Sequence, residues 1–181
     1  KERVTVDLDF LLTQQSLELG ALTKILIEIT KDPGHNDLVT FRLIKSEEIR
    51  PDDVYGGYSF SLIGQLENVR VPFSIDVVTG DPVTPEVRNY GYQCLLNDET
   101  ITLKAYPLET IVAEKFETVI EKGVGNSRLK DFYDLLCLSV PFGSQKSDLM
   151  LKEAYKETCQ HRNFLINQRE AIKTIDQIEV N

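Results

Sequence analysis

Asp7 and Asp9 stand one residue apart in Arg3-Val4-Thr5-Val6-Asp7-Leu8-Asp9-Phe10, a run in which polar and apolar residues alternate strictly. Alternation of this kind is the period of a strand with one face in the core. It turns Val4, Val6, Leu8 and Phe10 inward and aims both carboxylates at the other side. Two like charges so close repel each other unless a cation lies between them, and a divalent metal such as Mg2+ meets that need. A third acid, Asp76, lies in a second strand-like run where Phe73, Ile75 and Val77 mark one face and Ser74, Asp76 and Val78 the other. If the two strands are neighbours, Asp7, Asp9 and Asp76 converge. Three acids on adjoining strands can hold two magnesium ions, which clamp the attacking and leaving oxygens of a phosphoryl or nucleotidyl transfer. The plainer alternative is that these aspartates mark solvated strand faces.

Further along, Leu108, Ile111, Val112, Phe116 and Val119 recur at helical spacing, and Lys115 falls within their stripe rather than at its edge. A lysine there needs an anion for its ammonium or a path along which its stem can snorkel. Either a buried ion pair or a phosphate contact fits a compact charge on a flexible stem. Glu114, at the flank of the stripe, could orient that lysine or be solvated. In Arg128-Leu129-Lys130-Asp131-Phe132-Tyr133-Asp134-Leu135, a helix places Asp131 on one face with Asp134 and Leu135, where it could pair with Lys115 across two helices. An acid favoured by the helix dipole would account for Asp131 equally well, with Ser127 as the N-cap. His35 and His161 are far apart in the chain, and neither supports a hydrolase triad or a metal site; the serines and cysteines lack any nucleophile motif.

The elements that must position these residues follow from the same patterns. Leu19, Leu22, Leu26 and Ile29 predict a helix over 14–31, ended by Asp32-Pro33-Gly34. Strands are predicted over 38–44, 58–63, 69–78 and 99–105, with turns at Gly56-Gly57 and Glu67-Asn68. Pro107 suits the first turn of a helix, where its missing N–H is no loss. Helices are expected over about 107–122, 128–139, 146–160 and 163–178. A strand, a helix and mostly antiparallel strands followed by helices describe an α+β chain, with an α+β core over 1–106 and a helical region over 107–181.

With 181 residues, 41% of them apolar, the chain can bury one core of ordinary size. Twenty basic against twenty-nine acidic side chains give a net charge of -9, which argues against sequence-blind binding of a polyanion over the whole surface but leaves room for a local basic groove. Three widely spaced cysteines, none in a CxxC pair, indicate neither a disulfide framework nor a zinc site and suit a reducing cytoplasm. No run approaches the ~20 apolar residues of a membrane span.

Four ordered motifs carry a resemblance over roughly residues 3–138. They are the run from Arg3 to Phe10; Ile75-Asp76-Val77 with Gly80-Asp81; Ala113-Glu114-Lys115-Phe116; and the run from Arg128 to Leu135. Together they resemble the AbiEii/AbiGii toxin family of nucleotidyltransferase-like proteins. The resemblance implies a DNA polymerase β-like nucleotidyltransferase fold, a mixed sheet with helices, followed by a C-terminal helical region. It also implies a role in toxin–antitoxin and phage-defence systems. In family terms Asp7 and Asp9 are the metal-binding pair and Asp76 the third acid, which helps deprotonate the acceptor hydroxyl. Lys115 and Asp131 match the lysine and aspartate of the later motifs, with Lys115, Arg128 and Lys130 as the cations facing the nucleotide. Lys130-Asp131 replaces the commoner Arg-Asp, keeping the charge while changing the hydrogen-bonding fork. The family's glycine-rich phosphate segment has no counterpart from Lys1 onward, so the expectation is that an N-terminal segment ahead of the first strand is absent from this sequence.

The expected activity is Mg2+-dependent transfer of a nucleotide from a nucleoside triphosphate to an RNA acceptor, tRNA above all. The expected setting is the cytoplasm, with no membrane association and an antitoxin that acts mainly as a transcriptional regulator. Two other readings use the same acids: a nucleotidyltransferase-like binding module that has lost catalysis, and a metal-dependent nuclease. The first predicts no turnover, and the second predicts shortened rather than lengthened RNA.

Overall fold

The computed structural model describes residues 7–13, 18–31, 38–50, 56–94, 98–142, 148–164 and 167–179. Val4, Val6, His35 and the Asp32-Pro33-Gly34 stop lie outside the described residues. The chain divides into two compact units, Lys1–Asp81 and Pro82–Asn181.

The first unit is a four-stranded mixed sheet with one helix. Its elements are β1 (Asp7–Leu12), α1 (Leu19–Lys31), β2 (Thr40–Ile49), β3 (Gly57–Leu66) and β4 (Val69–Thr79), in the spatial order β1-β4-β3-β2. β1 runs parallel to β4, whereas β2, β3 and β4 form an antiparallel meander. Val69 pairs with Leu66 across the two-residue turn expected at Glu67-Asn68, and Glu67 takes a φ of 50° to close it. Phe60, Leu62 and Val77 alternate onto one face and are buried there under Leu22 and Leu26 of α1, with Leu12, Leu43, Tyr58, Phe73 and Ile75 around them. Gly57 is required by close approach, because a Cβ there would stand 2.9 Å from side-chain atoms of both Ile49 and Val78.

Two expectations for this unit are corrected. Leu8 and Phe10 share the core-side face, opposite Ile75 and Val77 in the register, yet they remain 50% and 53% exposed. Only Leu22 and Leu26, two turns in the middle of α1, are buried against the sheet, while Leu19 and Ile29 are exposed, so β1 at the sheet's edge lacks a full cover.

The second unit contains the hairpin β5 (Arg88–Gln93) and β6 (Thr100–Ala105), then α2 (Leu108–Lys122), α3 (Leu129–Phe142), α4 (Asp148–His161) and α5 (Gln168–Glu179). β5 has no counterpart among the predicted strands. Its Arg-Asn-Tyr-Gly-Tyr-Gln sequence offers no alternation of aliphatic residues, and its pairing with β6, rather than burial, makes it a strand. Pro107 precedes α2 as the N-cap, in extended backbone, and Gly123 closes it at φ 51° with its N–H on the Val119 carbonyl. Asn126, not the expected Ser127, caps the start of α3, its Oδ1 accepting from the Arg128 N–H at 2.8 Å. At the start of α5, Asn167 and Glu170 form a reciprocal capping box. Packing against α3, α4 and α5 places α2 at the centre of the helices. Its most buried positions are Glu109, Thr110, Ala113, Glu117, Val119 and Ile120; of the expected stripe only Val119 is among them.

Candidate functional site

The sheet of the first unit has a polar face opposite its core, and the register sets its pattern. Paired residues of neighbouring strands project to the same side. Asp9 stands opposite Asp76, Asp7 opposite Ser74, Ser59 opposite Asp76 and Ser61 opposite Ser74. The parallel pairing of β1 and β4 therefore brings Asp9 and Asp76 side by side, with Asp7 one step along the same face. Neighbouring strands lie about 4.8 Å apart, so the two carboxylates can meet a common cation. The Ser59 hydroxyl donates to Asp76 Oδ1 at 2.6 Å, fixing that carboxylate in its rotamer. Ser59 is not among the residues singled out by sequence, although Tyr58-Ser59-Phe60-Ser61-Leu62 alternates plainly enough to put both serines on the polar face. Asp7 and Asp76 are half-buried and Asp9 is exposed.

Among the described residues, no group of three or more His, Cys, Asp or Glu side chains is gathered into a metal cage. The donor chemistry on this face still fits magnesium. That ion takes hard oxygen ligands and is commonly held by one or two carboxylates together with substrate phosphates and water, rather than by an all-protein cage. Asp9 and Asp76 supply such a pair and Asp7 adds a neighbouring oxygen donor.

In the second unit, Lys115 of α2 reaches α3. Its Nζ lies 2.7 Å from Asp134 Oδ2 and 3.5 Å from Asp131 Oδ1. The pairing with Asp131 anticipated across two helices is present, but Asp134 is the nearer partner. The sequence places Asp134 on the correct helix face without giving it that role. Arg128, just ahead of α3, completes the group, its Nε 3.2 Å from Asp131 Oδ2. The result is a nearly buried Asp131 between two cations, with Lys115 a quarter exposed. Lys130, on the same helix, is exposed.

Other buried charges in this unit lie outside the sequence expectations. Glu117 is fully buried and pairs with Arg162, which also donates to Thr118 Oγ1 at 3.0 Å. Burial pushes the Glu117 carboxyl above its ordinary value against the pull of Arg162, with Glu121 adding to the rise. Burial likewise raises the Tyr155 phenol and the Cys159 thiol nearby. Buried Glu109 pairs with Arg88 at 3.2 Å. Thr110 and Thr84 exchange two hydrogen bonds of 2.9 Å, and the Thr84 hydroxyl reaches Glu157. A signal for Glu117 is present in the sequence: Thr110, Ala113, Glu117 and Ile120 recur at three- and four-residue spacing, a stripe of mostly small or apolar residues. His161 ends α4.

The molecule is thus an α+β protein with a mixed sheet, whose two notable polar centres are an aspartate pair on the sheet and a lysine–aspartate cluster on the helices. The family model for the nucleotidyl transferase AbiEii toxin of type IV toxin–antitoxin systems matches residues 1–180, and the chain belongs to that family. No curated protein and no solved structure matches it. No helix among the described residues is long and apolar enough to cross a membrane.

Proposed function

We propose that this chain is a metal-dependent nucleotidyltransferase that moves a nucleotide from a nucleoside triphosphate to an RNA acceptor, with tRNA the favoured one, in a toxin–antitoxin or phage-defence setting. The observation that carries the reading is the side-by-side placement of Asp9 and Asp76 on the polar face of a rigid sheet, in a chain of the AbiEii nucleotidyl transferase family. Asp7, Asp9 and Asp76 would hold Mg2+, which when bound supplies charge neutralisation to the oxygens around the reacting phosphorus. Asp76, oriented by the Ser59 hydroxyl, takes the proton of the acceptor hydroxyl as that oxygen bonds to the α-phosphorus and the bond to the leaving pyrophosphate breaks. In the second unit Lys115 serves phosphate charge, with Asp131 and Asp134 holding its ammonium in place and Arg128 and Lys130 as further cations for the nucleotide.

The test is incubation of the protein with Mg2+, labelled triphosphates and total tRNA. Labelled RNA that lengthens is expected, with incorporation falling by about 100-fold or more in Asp9→Ala, the scale on which loss of a positioned catalytic group is felt. Unchanged labelling in Asp9→Ala removes the assignment, and shortened RNA converts it to a nuclease. Binding of Mg2+ and triphosphate without incorporation identifies a binding module.

A further inference from the structure

The polar face that carries Asp7, Asp9 and Asp76 continues toward the other end of the sheet, and its charge changes sign there. Along β4 the same side presents Asp76, Ser74, Pro72 and Arg70 in turn. Arg70 pairs with Gln65, which pairs with Thr40; Pro72 pairs with Ile63, which pairs with Arg42. The irregularity between Leu43 and Lys45 in β2 preserves the face, leaving Arg42 and Lys45 on the same side. Arg42 and Arg70 line a concavity of about 330 Å³ with Thr40, Ile63 and Gln65. Both are exposed, and neither meets a carboxylate among the described residues. Lys45 and Glu47, by contrast, already neutralise each other on the adjoining stretch of β2.

Two guanidinium groups that line one hollow and meet no carboxylate among the described residues are conspicuous in a chain of net charge -9. Arginine forks match phosphate oxygens in pairs, and strands hold them with little loss of freedom in the backbone. Between the arginines and the acids the floor is made of small or neutral side chains, with Ser61 and Ser74 opposite each other. No carboxylate on β4 interrupts that path. Arg70 and Asp76 stand six residue steps apart on one strand, a separation of roughly 20 Å at about 3.3 Å per residue. A polynucleotide end placed at the acids would carry its backbone past the arginines a few nucleotides back.

We infer that Arg42 and Arg70 form a phosphate-binding subsite for the single-stranded acceptor RNA, gripping its backbone upstream of the end that reacts at Asp9 and Asp76. This rests on the nucleotidyltransferase reading for what happens at the acids, but the binding itself does not require it. The subsite reads phosphate rather than base, so it contributes affinity and register and leaves acceptor sequence to other groups.

The experiment measures binding of a short fluorescent single-stranded RNA, and of DNA of the same sequence, by anisotropy over a salt series. Neither metal nor triphosphate is present, and the full chain is used. The double variant Arg42→Gln/Arg70→Gln is expected to weaken RNA binding about tenfold or more and to flatten the salt slope by about 1.4, since each phosphate that a single strand no longer has neutralised lowers the slope by about 0.7. Arg42→Lys/Arg70→Lys should restore most of the salt slope. Equal weakening on RNA and DNA, or a greater weakening on RNA, supports the subsite. Unchanged affinity and slope in the glutamine variant overturn it, as does a wild-type chain that binds neither strand. Both arginines are exposed, so an unaltered thermal melt is expected to accompany the weaker binding. If the variant no longer holds RNA while Asp9→Ala still labels tRNA, the subsite stands and the catalytic assignment falls; the reverse pattern separates them the other way.

Discussion

The two polar centres of this molecule treat charge in opposite ways. On the sheet, exposed Asp9 and half-buried Asp7 and Asp76 share one polar face, with Ser59 bonded to Asp76. Among the helices, Lys115, Asp131, Asp134, Arg162 and Glu117 are drawn into pairs between elements, and two of the carboxylates have almost no contact with water. A charge kept at a surface beside a like charge contributes little to folding. A buried charge with a partner is held by the fold, and removing the partner leaves an ion that water cannot reach. Stability measurements should therefore divide along this line, with large losses among the helices and small effects on the sheet.

Arg162→Ala should give the largest loss. It strands the fully buried Glu117, and breaking a buried pair in this way costs about 3–5 kcal/mol. Urea unfolding followed by far-UV circular dichroism measures it. The pH dependence sharpens the test. The Glu117 carboxyl is raised in the folded protein above its ordinary 4.5, so between these values the folded state holds more protons than the unfolded one. The contribution of Glu117 is then fully present below pH 4.5 and declines as pH rises through the folded value. Without Arg162 that decline should be steeper, and Glu117→Gln should abolish it. A shallow, pH-independent loss in Arg162→Ala would show that the pair matters less than its burial suggests.

Lys115→Met comes next. It leaves Asp131 with Arg128 alone and deprives Asp134 of its 2.7 Å partner, but Lys115 is a quarter exposed and the thioether fills part of its place. A loss of about 2 kcal/mol is expected, below the full value for breaking a buried pair because solvent screens part of it. The same denaturation experiment reads it, and no change in midpoint would place this cluster with the sheet rather than the helices. Thr110→Val should cost about 1–2 kcal/mol, since it removes both hydrogen bonds to the Thr84 backbone and leaves its buried groups unpaired.

Legibility in the sequence followed the same divide. The alternation in β3 and β4 declared both the strands and their faces, so the adjacency of Asp9 and Asp76 needed only the neighbouring of two strands to become true. What alternation could not tell is how much cover each face receives. Leu8 and Phe10 point to the core side, yet α1 does not extend over them, and that depends on where a helix lies rather than on the strand's own pattern. Among the helices the wheel placed Lys115 and Asp131 together but favoured Phe116 over Glu117 for the interior. A buried glutamate becomes tolerable only through Arg162, which stands far along the chain on the last turn leading out of α4, and single-helix periodicity has no access to such a partner. The pairing of β5 was hidden for a related reason, because its strand character comes from β6 opposite and not from its own residues.

Asp9→Asn should produce the smallest change, and its sign makes it informative. Like charges directly opposite on neighbouring strands destabilise by about 0.2–1 kcal/mol, and the amide keeps the shape of the carboxylate while removing one of them. The variant should therefore be as stable as the natural chain or slightly more so when no divalent cation is present, even though incorporation of nucleotide collapses. Titration with Mg2+ separates the two proteins further. A cation that binds only the folded state raises the midpoint of the natural chain by mass action, and it should raise that of Asp9→Asn much less. A marked loss of stability in Asp9→Asn without metal would mean that the sheet uses this carboxylate to hold itself together, as the helices use theirs. The contrast between a face built for a ligand and an interior built for itself would then disappear.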